Sequence, residues 1–241
     1  MSNHIADSRS SKTRLNKFIA QSGLCSRRQA DQLIAEQRVR VNGRTASTMG
    51  LKVGLNDLVE VDGNVIKAVT KYETYALYKP VGVISSRASQ GNSKTIYDFV
   101  KTKQRLFSIG RLDKDSEGLI ILTTDGQAAQ RLAHPRFQTK KTYQIWLEIP
   151  NRYDLEEMIK KLSQAHTLDG KRVSLEGIRY LGRDQGYLRF SLVLTQGLNH
   201  QIRRLVGRAG FTVKRLMRIS HGPVTLDGLK PGQSKRIDLE V

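Results

Sequence analysis

GRLDKDSEGLIILTTDG, residues 110–126, is the stretch whose reading decides the fold. Four carboxylates, Asp113, Asp115, Glu117 and Asp125, crowd into it, in a chain with 41 Lys and Arg against 22 Asp and Glu. A calcium loop is one explanation. Counted from Asp113, an EF-hand register places Asp115, Glu117 and Gly118 correctly, but Thr124 stands where the bidentate Glu is required. The preceding LFSIGRL is also strand-like rather than helical, which excludes calcium. A polar turn between two strands, LFSIGRL and LIILTT, fits the local pattern. Asp113 and Asp115 are alternate residues of an extended segment and point to opposite faces, so at most one enters a given pocket.

Outward from this stretch, the 241 residues carry a formal net charge of +19. Charge does not specify a fold, but it selects partners, and a polyanion is favoured because each neutralised phosphate releases counterions. No apolar run reaches the roughly 18 residues of a membrane span, so no membrane partner is expected. Residues 1–13 have no hydrophobic centre and read as a flexible basic arm rather than a secretory signal. Cys25 is the only cysteine, which rules out an internal disulfide and a multi-thiolate metal site and is consistent with a cytoplasmic protein.

Residues 14–62 read as a small basic domain. Leu15, Phe18 and Ile19 recur at helical spacing, and Gly23 is placed to stop that helix. Ser26 and Gln29 have the spacing of a capping box, followed by an apolar stripe of Ala30, Leu33 and Ile34. Arg27 and Arg28 fall in the first turn, where the helix dipole disfavours cations, so a partner is expected to hold them there. VRVNGR then sets Val39 and Val41 on one face and Arg38 and Arg40 on the other, with tight hairpin turns at Asn42-Gly43 and Asp62-Gly63. Residues 63–72 read as a linker, and a new apolar pattern opens a second domain over 73–241.

In that second domain strands are expected at 75–79, 106–112, 119–123, 143–149, 173–180 and 187–195. They come in runs rather than in alternation with helices, so the class is α+β, with a mostly antiparallel or mixed sheet flanked by helices. Ile202, Leu205, Val206 and Ala209 form the buried stripe of a helix ended by Gly210. Arg204 and Arg208 share its other face, free for RNA, and residues 199–221 hold six Lys and Arg and no acid. His134 and His200 lie in no nucleophile context and read as structural or RNA-adjacent.

Two resemblances add to these patterns. RLNKFIAQSGLCSRRQADQLIAEQRVRVNG resembles the S4 RNA-binding domain, which implies RNA contacts at Arg14, Lys17, Arg27, Arg28, Arg38 and Arg40. GRLDKDSEGLIILTTDG looks like the catalytic motif of pseudouridine synthases. YKPVGVISS, KTY and GLNHQIRRL resemble their other motifs, in the expected order. The whole chain is similar to the ribosomal small subunit pseudouridine synthase A family, leaning toward the large-subunit synthases F and B.

This resemblance implies isomerisation of a uridine to pseudouridine, most naturally in large-subunit 23S ribosomal RNA, by a monomer that needs no cofactor and no metal. Small-subunit RNA and transfer RNA are the alternative substrates. A non-catalytic S4-type RNA-binding or ribosome-assembly protein is the rival from another class. Asp113 is implied as the catalytic carboxylate, Tyr143 as the residue that stacks on uracil, and Arg203 as the ion-pair partner of Asp113. Arg111 either fills the gap left by the flipped nucleotide or contacts a phosphate. Lys79 and Pro80 are expected to shape the cleft rim.

Overall fold

The computed structural model describes residues 12–54, 56–67, 69, 71–87 and 92–239, so nearly all of the expected arm lies outside the described residues. The chain divides into two compact units. One runs to Tyr72 and includes Lys103–Arg105; the other comprises Glu73–Thr102 and the residues from Leu106 on.

The first unit contains β1 (Thr13–Arg14), α1 (Leu15–Gln21), α2 (Arg27–Ala35), β2 (Val39–Val41), β3 (Arg44–Thr45), β4 (Lys52–Val53), β5 (Val59–Val61) and β6 (Asn64–Ile66). Just past α1, Gly23 takes φ +84°, a left-handed value that a side chain resists. At the start of α2 the Gln29 N–H donates to Ser26 Oγ at 3.2 Å, and the Ser26 N–H donates to Gln29 Oε1 at 3.0 Å. Both halves of the capping box are therefore made. Both hairpin turns are left-handed at both central residues, with φ +51° and +78° at Asn42-Gly43 and +50° and +77° at Asp62-Gly63. That geometry matches the twist of the antiparallel strands it joins, giving a four-stranded sheet in the order β3-β2-β5-β6. Leu15, Ile19, Ala30 and Ile34 from the helices pack on Val39, Val59 and Val61.

The second unit contains β7 (Thr74–Lys79), β8 (Phe107–Ile109), β9 (Glu117–Thr123), α3 (Gly126–Ala133), β10 (Lys141–Leu147), α4 (Leu155–Leu162) and β11 (His166–Leu168). It continues with β12 (Lys171–Val173), β13 (Glu176–Asp184), β14 (Tyr187–Leu194), α5 (Gln201–Arg208), β15 (Val213–His221), β16 (Val224–Thr225) and β17 (Ser234–Arg236). Nine of these strands form one sheet, in the order β13-β14-β10-β15-β9-β7-β17, with β8 on β9 and β16 on β15. All its pairings are antiparallel except β9 with β15, so the sheet is mixed. The single strand expected over 173–180 is instead two. β12 closes a separate hairpin with β11, and β13 joins the main sheet.

β9 is buried along its whole length. Ile120 and Leu122 pack with Leu77, Val83 and Ile96 on one side, and Ile121 packs with Ile109 and Leu132 on the other. A strand covered on both faces reads as a continuous apolar run, which is why LIIL does not alternate. Gly118, at φ +105°, is required where β9 meets β15: a Cβ there would lie 2.3 Å from the Arg218 carbonyl oxygen and 2.7 Å from its nitrogen. Among the described residues no helix is long and apolar enough to cross a membrane.

Candidate active site

The four carboxylates of the opening stretch take four separate positions. Asp125 caps α3, accepting from the Gln127 and Ala128 N–H groups at 2.7 and 3.2 Å. Glu117 is buried and accepts from the Tyr78 hydroxyl at 2.9 Å and from Arg215. Asp115 is exposed and outside the pocket described below, whereas the half-buried Asp113 lines it.

Asp113 sits on a tight turn between β8 and β9, closed by the Ser116 N–H donating to the Asp113 carbonyl at 3.1 Å. The turn is gripped by the YKPVGVISS segment. The Ser85 hydroxyl donates to the Leu112 carbonyl at 2.7 Å and accepts from the Leu112 N–H at 3.1 Å. The Gly82 N–H donates to the Lys114 carbonyl at 2.8 Å. The Lys79 ammonium donates to the Ser116, Pro80 and Lys114 carbonyls at 2.6, 3.0 and 3.4 Å. Lys79 is thus fully buried beneath the turn and does not shape the cleft rim. Burial lowers its pKa to about 8, against the opposing pull of Asp113, Glu117 and Asp115. Three carbonyls aimed at one cation explain how a lysine is kept there.

The pocket beside the turn has a volume of about 310 Å³, and Arg111, Asp113, Tyr143, His200, Arg203 and Arg218 are among its lining residues. Its floor comes from β10 and β15. Tyr143 pairs with Arg218 and Lys141 with His221, and a register shift between Thr142 and Tyr143 admits one extra residue on β15. Such a bulge reverses the side-chain parity beyond it, so Arg218 and His221 share the face of Tyr143 and Lys141. Arg218 is 1% exposed; its Nε donates to the Leu119 carbonyl at 2.7 Å, and its Nη2 has no hydrogen-bond partner among the described residues. His221 is fully buried, its Nε2 lying 3.1 Å from the Leu132 carbonyl. Burial first, and then the Arg218 charge, push its pKa down to about 3, which leaves the ring neutral. The same two causes, in the same order, lower the pKa of Lys141.

Several expectations need correction. Arg203 lines the pocket, but its fork is turned to backbone: Nη1 donates to the Val213 carbonyl at 3.0 Å and Nη2 to the Asp115 carbonyl at 3.1 Å. The group facing the Asp113 carboxylate is His200, with Nδ1 3.3 Å from Oδ2. His200 adopts φ +49° at the start of α5, which places it one turn before Arg203 along the pocket wall.

Nor is the basic segment 199–221 a free cationic face. Arg204 is bidentate on Asp169 at 2.9 Å, and Arg208 donates to the Thr167 carbonyl at 2.8 Å. Lys214 pairs with Glu148 at 2.6 Å, and Arg215 with Glu117. In the first unit Arg38 is likewise bidentate on Asp62 at 2.8 Å. Arg14, Arg27, Arg28 and Arg40 are exposed, Lys17 is half-buried, and Arg111 is exposed beside the pocket.

Ser85, Arg218 and His221 were not singled out from the sequence. For Arg218 a signal existed. In VKRLMRISH it has the parity of Leu216, so a period-2 strand places a guanidinium on the core face. Ser85 carried none, since its partner lies 27 residues away. Among the described residues no group of three or more His, Cys, Asp or Glu side chains could hold a metal ion.

Comparison with known proteins bears on this geometry. The profile of the family described as RNA pseudouridylate synthase matches residues 73–207, and that of the S4 domain matches residues 13–59. Ribosomal large subunit pseudouridine synthase B of Bacillus subtilis is 36% identical over 229 residues, covering 93% of this chain and 91% of its own. The dual-specificity RNA pseudouridine synthase RluF of Escherichia coli is 36% identical over 225 residues, covering 92% of this chain and 74% of its own. A crystal structure of a pseudouridylate synthase superimposes with a TM-score of 0.62 at 27% identity, covering 93% of this chain and 96% of that one.

Proposed function

The chain belongs to the RNA pseudouridylate synthase family, and we propose that it converts a uridine of large-subunit ribosomal RNA to pseudouridine with Asp113 as the catalytic carboxylate. The observation that carries this is the pairing of a carboxylate on a rigidly gripped turn with a pocket of about 310 Å³ floored by Tyr143. The Asp113 carboxylate meets the sugar as its base departs, either as nucleophile or as base toward a sugar proton. Tyr143 supplies an aromatic surface for the extruded uracil. Arg203 acts on the backbone of the turn, so its role is to position Asp113 rather than to pair with it. His200 faces the carboxylate directly.

RNA is held by residues 14–62 through Arg14, Lys17, Arg27, Arg28 and Arg40, and Arg111 meets the strand at the pocket mouth, where extruding a nucleotide costs a few kcal/mol of stacking. We take the enzyme to act as a monomer in the cytoplasm, where ribosomal RNA is met. The test is tritium release from C5-labelled uridine in ribosomal RNA taken from a strain lacking the gene. Wild type releases tritium and Asp113→Asn does not, while both bind the RNA equally. Release confined to small-subunit RNA or to transfer RNA moves the substrate. No release from any of them leaves the non-catalytic assembly protein.

A further inference from the structure

The Arg218 side chain is not used by the reaction as outlined so far. It is 1% exposed, anchored by one backbone hydrogen bond, and in no ion pair among the described residues. A buried guanidinium without a carboxylate is costly and persists where something anionic is to meet it. Its charge already bears on the pocket floor, since it helps keep His221 neutral and lowers the pKa of Lys141. Cross-strand neighbours on one face of a sheet stand about 4.5–5.5 Å apart at Cβ. Arg218 is the cross-strand partner of Tyr143 and both line the pocket, so a base bound there is within reach of both side chains. Gly118 is what admits β15 this close to β9, bringing Arg218 level with the end of the Asp113 turn.

We propose that Arg218 is a further catalytic residue, whose guanidinium stabilises the detached uracil as an anion through its free Nη2. This rests on the isomerase reading above. When the N1–C1′ bond breaks, its electron pair stays on uracil and spreads over N1, O2 and O4, leaving C1′ electron-poor beside Asp113. The turned base then gives a ring electron pair to C1′ to form the C5–C1′ bond. C5 afterwards loses its proton and N1 gains one, so no atom is added or lost. A fixed, buried positive charge lowers the energy of the anion without reorganising as the charge appears.

The experiment compares Arg218→Lys and Arg218→Gln with wild type in single turnovers, on RNA bearing uridine or 5-fluorouridine at the target. Fluorine at C5 makes the uracil anion less basic and less dependent on outside help. The readout is loss of the parent nucleoside after nuclease digestion. On uridine the glutamine variant is expected to be slowed about 10²–10³-fold, as when an oxyanion donor is removed. RNA affinity should stay within about threefold, and the defect on 5-fluorouridine should be at least about tenfold smaller. An equal defect on both substrates makes Arg218 merely structural and overturns the proposal, as does full activity of the glutamine variant. If neither variant folds, wild type decides: a rate differing less than about threefold between the substrates supports a protein-stabilised anion, and a steep difference overturns it. Wild type inert on every uridine RNA is a separate outcome, because it removes the isomerase reading itself.

Discussion

Ser85 and Leu112, 27 residues apart, hold each other twice: the serine hydroxyl donates to the leucine carbonyl at 2.7 Å and accepts from its N–H at 3.1 Å. Leu112 immediately precedes Asp113, so this one side chain fixes the backbone from which the carboxylate is presented.

Ser85→Ala removes both bonds and leaves a partly buried N–H and C=O without their partner. Misplacing a reacting group by about an ångström can cost up to 10²-fold in rate. The expected outcome is a kcat roughly 10–100-fold lower with RNA affinity unchanged, read by single-turnover tritium release alongside filter binding. An unaltered kcat means that Lys79 and Arg203 hold the turn without it.

Gly118→Ala places a methyl group 2.3 Å from a backbone oxygen at a left-handed φ of +105°. Neither backbone can yield without breaking the β9–β15 pairing. Destabilisation of about 3 kcal/mol or more is expected. Urea unfolding of the full chain measures it, and a loss below about 1 kcal/mol would show that the strands can separate.

His221 has a folded pKa of about 3 against an ordinary value of 6.5. Between those values the unfolded chain takes up a proton that the folded one refuses, so this group's contribution to stability is lost as pH falls. At pH 4.5 the loss is roughly 2–3 kcal/mol relative to neutral pH. His221→Gln, whose amide nitrogen reaches the position of Nε2 and keeps a donor for the Leu132 carbonyl, should lack that part of the acid sensitivity. Urea midpoints at pH 7.5 and 4.5 for both proteins supply the comparison, and parallel losses would mean that the ring is not the titrating group.

Arg27→Ala with Arg28→Ala removes two exposed cations, and the slope of log affinity against log salt should flatten by about 1.5. Arg204→Ala removes a guanidinium already bidentate on Asp169 and should leave the slope nearly unchanged. The reverse order would put the α5 face, rather than α2, on the RNA.

The sequence by itself determined what depends on near neighbours. The Ser26–Gln29 cap, the two left-handed hairpin turns and the alternation of β14 each follow from preferences acting over four residues or fewer. The order of motifs around Asp113 was legible for the same reason, being a local string. Tertiary structure alone decided which charges are free. Asp169 closes on Arg204 across 35 residues, Glu117 on Arg215 across 98, and Arg203 on the Asp115 carbonyl across 88. An ion pair or hydrogen bond forms only where packing brings both groups within about 3 Å, and composition carries no record of that distance. The side of the sheet on which Arg218 lies follows from one bulge on β15, and its approach to β9 from one glycine. Arg203 is turned by the Val213 and Asp115 carbonyls. None of this reaches the pocket until the sheet has assembled.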